Sequence, residues 1–132
     1  MFDPSTRILV ADDMSSIRAV IISNLCDIGF YDITDVGDGV AAWELINRVT
    51  PPFDLVISDM HMPDMTGLEL LMKVRGDSRF SRLPFMLLTS ETDKTTVMEA
   101  IAAGVSDYCV KPFTGRLFKQ KLENIQKKHA AQ

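Results

Sequence analysis

Five short runs of β-branched and aliphatic residues recur along the chain, at Ile8–Ala11, Ile33–Val36, Leu55–Ser58, Phe85–Thr89 and Tyr108–Val110. Each is too short for a buried helix, so each reads as a strand. The segments between them carry apolar residues at helical spacing instead. Ile17, Val20, Ile21, Leu25 and Ile28 mark one such face, and Ala42, Leu45, Ile46 and Val49 mark the next. Leu68, Leu71 and Met72 repeat the pattern, as do Val97 and Ile101 with Gly104 close behind, and then Phe118, Leu122 and Ile125. Strand and helix alternate five times.

The punctuation agrees with this parsing. Gly29, Gly76 and Gly104 stand where a left-handed cap ends a helix, while Ser15 or Ser16, Asp38, Thr66 and Thr114 suit helix starts. Strands that are apolar throughout, rather than alternating, belong in a parallel sheet covered on both faces, and right-handed crossovers place helices on those faces. The expected fold class is α/β, a flavodoxin-like doubly wound (βα)5 unit whose five-stranded parallel sheet runs in the order 2-1-3-4-5. In such a sheet the first and third strands are neighbours, and ligands bind at the switch point between them.

With 132 residues, the chain has the size of one domain, 1–132, and enough length to bury a core without disulfides or a structural metal. A formal net charge of -4 provides no basic field for nucleic acid or an anionic membrane. Met1 to Arg7 lacks an apolar core of signal-peptide length, and no stretch approaches the roughly 20 apolar residues of a membrane span. Cys26 and Cys109 sit in apolar segments without metal-ligand spacing and read as buried thiols of a reducing compartment. A cytoplasmic protein is expected.

Function is written at the strand ends. The first run ends on Asp12-Asp13, the third on Asp59 and the fifth on Lys111-Pro112. An aspartate pair after a strand is by itself an ordinary turn former or helix cap. A third carboxylate at the end of a neighbouring strand changes that reading, because packed acids repel unless a cation offsets them. Magnesium, which takes hard oxygen ligands, is the natural candidate. Lys111 is either a solvated edge residue or a partner for those carboxylates and an incoming phosphate. Thr89 ends the fourth run with a hydroxyl able to donate to a phosphoryl oxygen, although a threonine there means little alone.

At this point the sequence resembles the receiver domains of bacterial two-component response regulators, of the stand-alone chemotaxis type called CheY. The resemblance spans nearly the whole chain. It rests on Val10-Ala11-Asp12-Asp13, Asp38-Gly39, Ile57-Ser58-Asp59 with Met62-Pro63 and Thr66-Gly67-Leu68-Glu69-Leu70, Leu88-Thr89-Ser90, and Val110-Lys111-Pro112-Phe113-Thr114. Ser15-Ser16-Ile17-Arg18 also looks closest to the chemotaxis branch.

The resemblance implies that Asp59 is the phosphoacceptor, taking its phosphoryl group from a kinase phosphohistidine without a separate general base. It implies Mg2+ held by Asp13, Asp59 and the His61 carbonyl, with Asp12 acting through water. Lys111 would bind the phosphoryl oxygens, and Pro112 would follow it through a cis peptide bond. Thr89 and Tyr108 would form the switch, and a small Ser90 would leave the approach to Asp59 open. The implied protein is a phosphoacceptor with self-catalysed phosphotransfer and autodephosphorylation rather than an enzyme acting on a substrate.

The implied partners are a CheA-like histidine kinase and a flagellar motor switch protein or another protein target, with a phosphatase as a further one, and a monomer is expected. Lys94, Val97, Tyr108, Val110, Thr114 and Lys121 would build the partner face. His61 stands where chemotaxis members often have asparagine; with Glu91 it would flank the water route to the acyl phosphate, or else contribute only its carbonyl. Met60 replaces an aromatic residue found in some members, and Met60, Met62 and Met65 read as loop packing or a partner rim. His129 reads as a solvated tail residue.

Other classes fit less well. An aspartyl phosphatase wants Asp-x-Asp after the first strand, and Met14 stands two past Asp12. A flavin carrier would need a phosphate loop where Asp12-Asp13 repel one. A receiver in another phosphorelay, or one belonging to a longer regulator, shares most of these motifs.

Overall fold

Successive residues of a strand face opposite sides of its sheet, so a strand apolar at every position must be covered twice. A computed structural model, describing residues 3–90 and 94–130, shows that arrangement. Strands β1 (Ile8–Ala11), β2 (Ile33–Val36), β3 (Leu55–Asp59), β4 (Phe85–Ser90) and β5 (Asp107–Lys111) alternate with helices α1 (Ser15–Ile28), α2 (Gly39–Arg48), α3 (Gly67–Gly76), α4 (Lys94–Ala102) and α5 (Gly115–Ala130). The strands form one sheet in the order β2-β1-β3-β4-β5, and every pair is parallel. The fold expected from the sequence is the fold observed.

Residue parity along the strands separates two cores. Ile8, Val10, Leu55, Ile57, Met86, Leu88 and Cys109 pack with Ile21 and Leu25 of α1 and Phe118, Leu122 and Ile125 of α5. Leu9, Ala11, Val56, Phe85 and Leu87 pack on the other face with Ala42 and Ile46 of α2, Leu70, Leu71 and Val74 of α3, and Ala100 of α4. Each such large side chain contributes on the order of 1.5–3 kcal/mol when it leaves water completely.

Capping follows the sequence in part. Asp38 accepts from the Ala41 N–H at 2.7 Å, Thr66 and Glu69 form a reciprocal capping box, and Thr114 Oγ1 accepts from the Leu117 N–H at 3.1 Å. Gly29 and Gly104 have φ values of 121° and 90°, a region costly for residues with a Cβ. Two expectations fail. Ser15 and Ser16 do not cap α1, whose N-cap is Met14; the Asp12 carboxylate takes the Met14 N–H instead, at 2.9 Å. Gly76 lies inside α3, and the chain leaves that helix through extended Asp77.

Tertiary packing corrects other single-residue expectations. Val20, Met72 and Ile101, each placed on an apolar helix face, are 52%, 58% and 58% exposed, because the sheet covers a narrower stripe than the sequence pattern suggests. Cys26 is exposed, whereas Cys109 is buried as expected. His129 is not a solvated tail residue: its Nε2 lies 2.6 Å from Oγ of buried Ser106. Lys111–Pro112 is cis, as the resemblance implied, and Thr50–Pro51 is cis as well. Among the described residues no helix is long and apolar enough to cross a membrane.

The two thiols should behave differently. Burial pushes the Cys109 thiol up to about 11, and a thiol without thiolate or access does not alkylate. A maleimide should therefore label Cys26 alone in the native protein and reach Cys109 only after denaturation, as read by peptide mass spectrometry.

Candidate functional site

Register builds the site. Ala11 of β1 pairs with Ser58 of β3, so Asp12 and Asp59, the residues that follow, leave adjacent strands side by side. Leu88 of β4 pairs with Asp59, and Ser90 with Lys111 of β5. Asp59 and Lys111 share parity with Ile57 and Cys109 and hence the α1/α5 side of the sheet. Thr89 and Tyr108 share parity with Leu87, on the side of α3 and α4.

Asp12, Asp59 and Thr89 are buried, while Asp13 is exposed. Carboxylate oxygens of Asp12, Asp13 and Asp59 all lie within 4.8 Å of one another. Lys111 Nζ reaches them from β5, 2.7 Å from Asp59 Oδ1 and 3.8 Å from Asp12 Oδ2. Burial lifts the Asp12 carboxyl above its ordinary range; repulsion from Asp59 and Asp13 adds to that, while the Met14 N–H and Lys111 pull the other way. Asp12 Oδ2, Asp59 Oδ1 and Thr89 Oγ1 are buried without an aligned hydrogen bond. Buried polar atoms normally have partners, and among the described residues the only cation that the two buried carboxylates meet is the Lys111 ammonium, so with Asp13 they form a donor set that suits a hard divalent cation.

Two residues without a role in the sequence reading shape this rim. Gly67 opens α3 and donates its N–H to the Met60 carbonyl at 2.9 Å. A Cβ there would overlap the Asp59 carbonyl oxygen and stand 2.8 Å from Leu87 Cδ2. Arg18, on α1, donates from Nη1 to the Asp12 carbonyl at 2.6 Å and from Nε to Asp35 Oδ2 at 2.8 Å. A glycine directly after a helix cap was a signal for the first. A lone arginine on an otherwise apolar helix face was a signal for the second.

The remaining expected residues divide. Ser90, Lys94, Val97, Tyr108 and Val110 line one groove of about 390 Å3 together with exposed Met98 and Ile101. Lys121 adjoins it, its Nζ 4.9 Å above the Tyr108 ring and 3.4 Å from Asp107 Oδ1. Thr114 stands apart from the groove as the exposed cap of α5. The Tyr108 ring is half-buried against the α2–α3–α4 core. His61 is exposed just past β3, and Glu91 lies outside the described residues. Met60 and Met62 are buried and Met65 packs against the same core, so the methionines serve loop packing.

Residues 8–123 match the response regulator receiver domain family. The chain is 42% identical over 119 residues to chemotaxis protein CheY1 of Helicobacter pylori, covering 90% of this chain and 95% of that protein. It is 40% identical over 119 residues to chemotaxis protein CheY of Pseudomonas aeruginosa, covering 90% and 94%. Among solved structures it is similar to chemotaxis response regulator CheY4 of Vibrio cholerae, with a TM-score of 0.82, 32% identity, and coverage of 92% and 98%. It is also similar to the receiver domain of sensor histidine kinase PA1611 of Pseudomonas aeruginosa, which has a magnesium ion coordinated in its active-site cleft. That match has a TM-score of 0.78, 25% identity, and coverage of 92% and 98%.

The chain belongs to the response regulator receiver domain family. Within it, the chain is a receiver of the CheY-like kind, a class of two-component and chemotaxis signalling.

The close approach at Gly67 has a measurable consequence. Gly67→Ala should lower stability by about 1–3 kcal/mol through overpacking, read as a lower denaturant midpoint with an unchanged slope.

Proposed function

We propose that this receiver is a phosphorylation-activated switch in which Asp59 accepts a phosphoryl group from a histidine kinase and the output is protein binding. One observation carries the reading: the ends of β1, β3 and β5 bring three carboxylates and one ammonium to a single point, with Lys111 2.7 Å from Asp59. In the transfer, the phosphorus–nitrogen bond of a kinase phosphohistidine breaks as a bond from Asp59 Oδ to phosphorus forms. Asp59 is the nucleophile and needs no general base while it is ionised. A loose phosphoryl-transfer transition state gains chiefly from positioning and from positive charge at its equatorial oxygens.

Asp13, Asp59 and the His61 carbonyl would hold Mg2+, with Asp12 acting through water. When bound, the ion supplies charge neutralisation at the phosphoryl oxygens. Lys111, paired with Asp59 beforehand, would move its ammonium onto the phosphoryl group, since an ammonium is a mobile point charge on a flexible stem. Ser90 leaves the approach open. Thr89, buried with an unsatisfied hydroxyl, would donate to a phosphoryl oxygen and draw inward. The Tyr108 ring would then turn into the vacated space and alter the groove that Lys94, Val97 and Val110 share with it.

The chain would act as one receiver unit, monomeric, with a CheA-like histidine kinase upstream and a flagellar motor switch protein as the target. A phosphatase partner and autodephosphorylation would end the signal. His61 and Glu91 would flank the water that hydrolyses the acyl phosphate.

Incubation with a small phosphodonor and Mg2+ should label wild type and leave Asp59→Asn unlabelled, with intact-mass spectrometry as the readout. Equal labelling of the variant would sink the assignment of Asp59. Phosphoryl decay followed after donor removal should differ between wild type and His61→Asn, whereas identical decay would reduce His61 to its backbone carbonyl.

A further inference from the structure

Of the three clustered carboxylates, only Asp13 is exposed, and no hydrogen bond from a described residue tethers its side chain. The backbone from which it projects is therefore the part of Asp13 that the protein holds, through the peptide that precedes it. That peptide's carbonyl belongs to Asp12 and accepts from Arg18 Nη1 at 2.6 Å. The same residue is held at its other end, where the Asp12 N–H donates to the Val36 carbonyl at 3.2 Å. Arg18 is in turn held by Asp35 of β2 through Nε at 2.8 Å. A planar guanidinium bonding a carbonyl with one nitrogen and a carboxylate with another fixes both in register, which an ammonium does not reproduce.

We infer that Arg18 is a positioning residue for the acidic turn, acting through the Asp12–Asp13 peptide to hold the Asp13 carboxylate where it ligates a divalent cation. The inference rests on the metal site proposed above. Two physical effects of Arg18 have opposite signs, which makes its role measurable. As a cation bonded to the backbone of the acidic turn, it opposes Mg2+ through repulsion, so removing its charge alone tightens binding. As a clamp on the ligand-bearing turn, it favours Mg2+, because groups that orient ligands typically change metal affinity by roughly 10–100-fold when lost. The Arg18–Asp35 pair is partly solvent-exposed, at 21% and 41% of side-chain area, so melting in metal-free buffer separates its share of stability from its effect on Mg2+.

The test is a calorimetric titration of the full chain with Mg2+ alone, alongside thermal melting in metal-free buffer. Arg18→Ala should weaken Mg2+ binding about tenfold, and Arg18→Lys should remain weakened although the charge is restored. Asp35→Asn should weaken binding in the same direction by a smaller factor, because Arg18 loses its second anchor. Arg18→Ala binding Mg2+ as tightly as wild type, or more tightly, overturns the inference whatever its melting temperature. If Arg18→Ala does not fold, unchanged affinity in both Arg18→Lys and Asp35→Asn overturns it equally. Absence of Mg2+ binding by wild type overturns the metal site itself, an outcome distinct from normal wild-type binding that is indifferent to Arg18.

Discussion

A sheet apolar on both faces has to be covered twice, and the rest of this structure follows from that requirement. Cover on each side comes from crossover helices, two on one face and three on the other. A chain that begins in the middle of such a sheet must wind outward in both directions, which separates the first two connections and leaves a crevice above β1 and β3. The strands are parallel, so all their carboxyl ends lie on the side of that crevice. Position in the fold, before any side-chain chemistry, decides where a ligand has room to bind.

The charges then solve a second problem. Asp12 and Asp59 are buried at the mouth of the crevice with Asp13 beside them, an arrangement that costs free energy in the absence of positive charge. Lys111 offsets part of that cost within the protein through direct contact with Asp59. Arg18 stands behind the same turn and engages backbone rather than carboxylate oxygens there, so it shapes the acidic cluster without neutralising its ligand atoms. The site is thus left short of positive charge, with one ammonium set against the three clustered carboxylates of Asp12, Asp13 and Asp59.

Much of this was legible in advance. Short apolar runs separated by helical spacing define the strand–helix order, because side-chain period is a local property of each element. The charged residues at the ends of β1, β3 and β5 were visible for the same reason, and their order along the chain carried the resemblance to the receiver family. Surface detail was less legible. Val20, Met72 and Ile101 occupy positions that periodicity assigns to buried faces and Cys26 lies in an apolar segment, yet all four are exposed. His129 reads as a tail residue in isolation and finds Ser106 only because α5 folds back past the loop before β5.

The sequence by itself determined the elements, their order and the residue types at the strand ends, since these depend on short-range spacing and on turn and cap chemistry. Only the tertiary structure decided which atoms meet. The 2.7 Å contact of Lys111 with Asp59, the close approach of Gly67 to the Asp59 carbonyl and the grip of Arg18 on the Asp12 carbonyl each join residues distant in the chain or on different elements. Such contacts are set by strand register and helix packing, which are properties of the whole sheet. No local pattern encodes them.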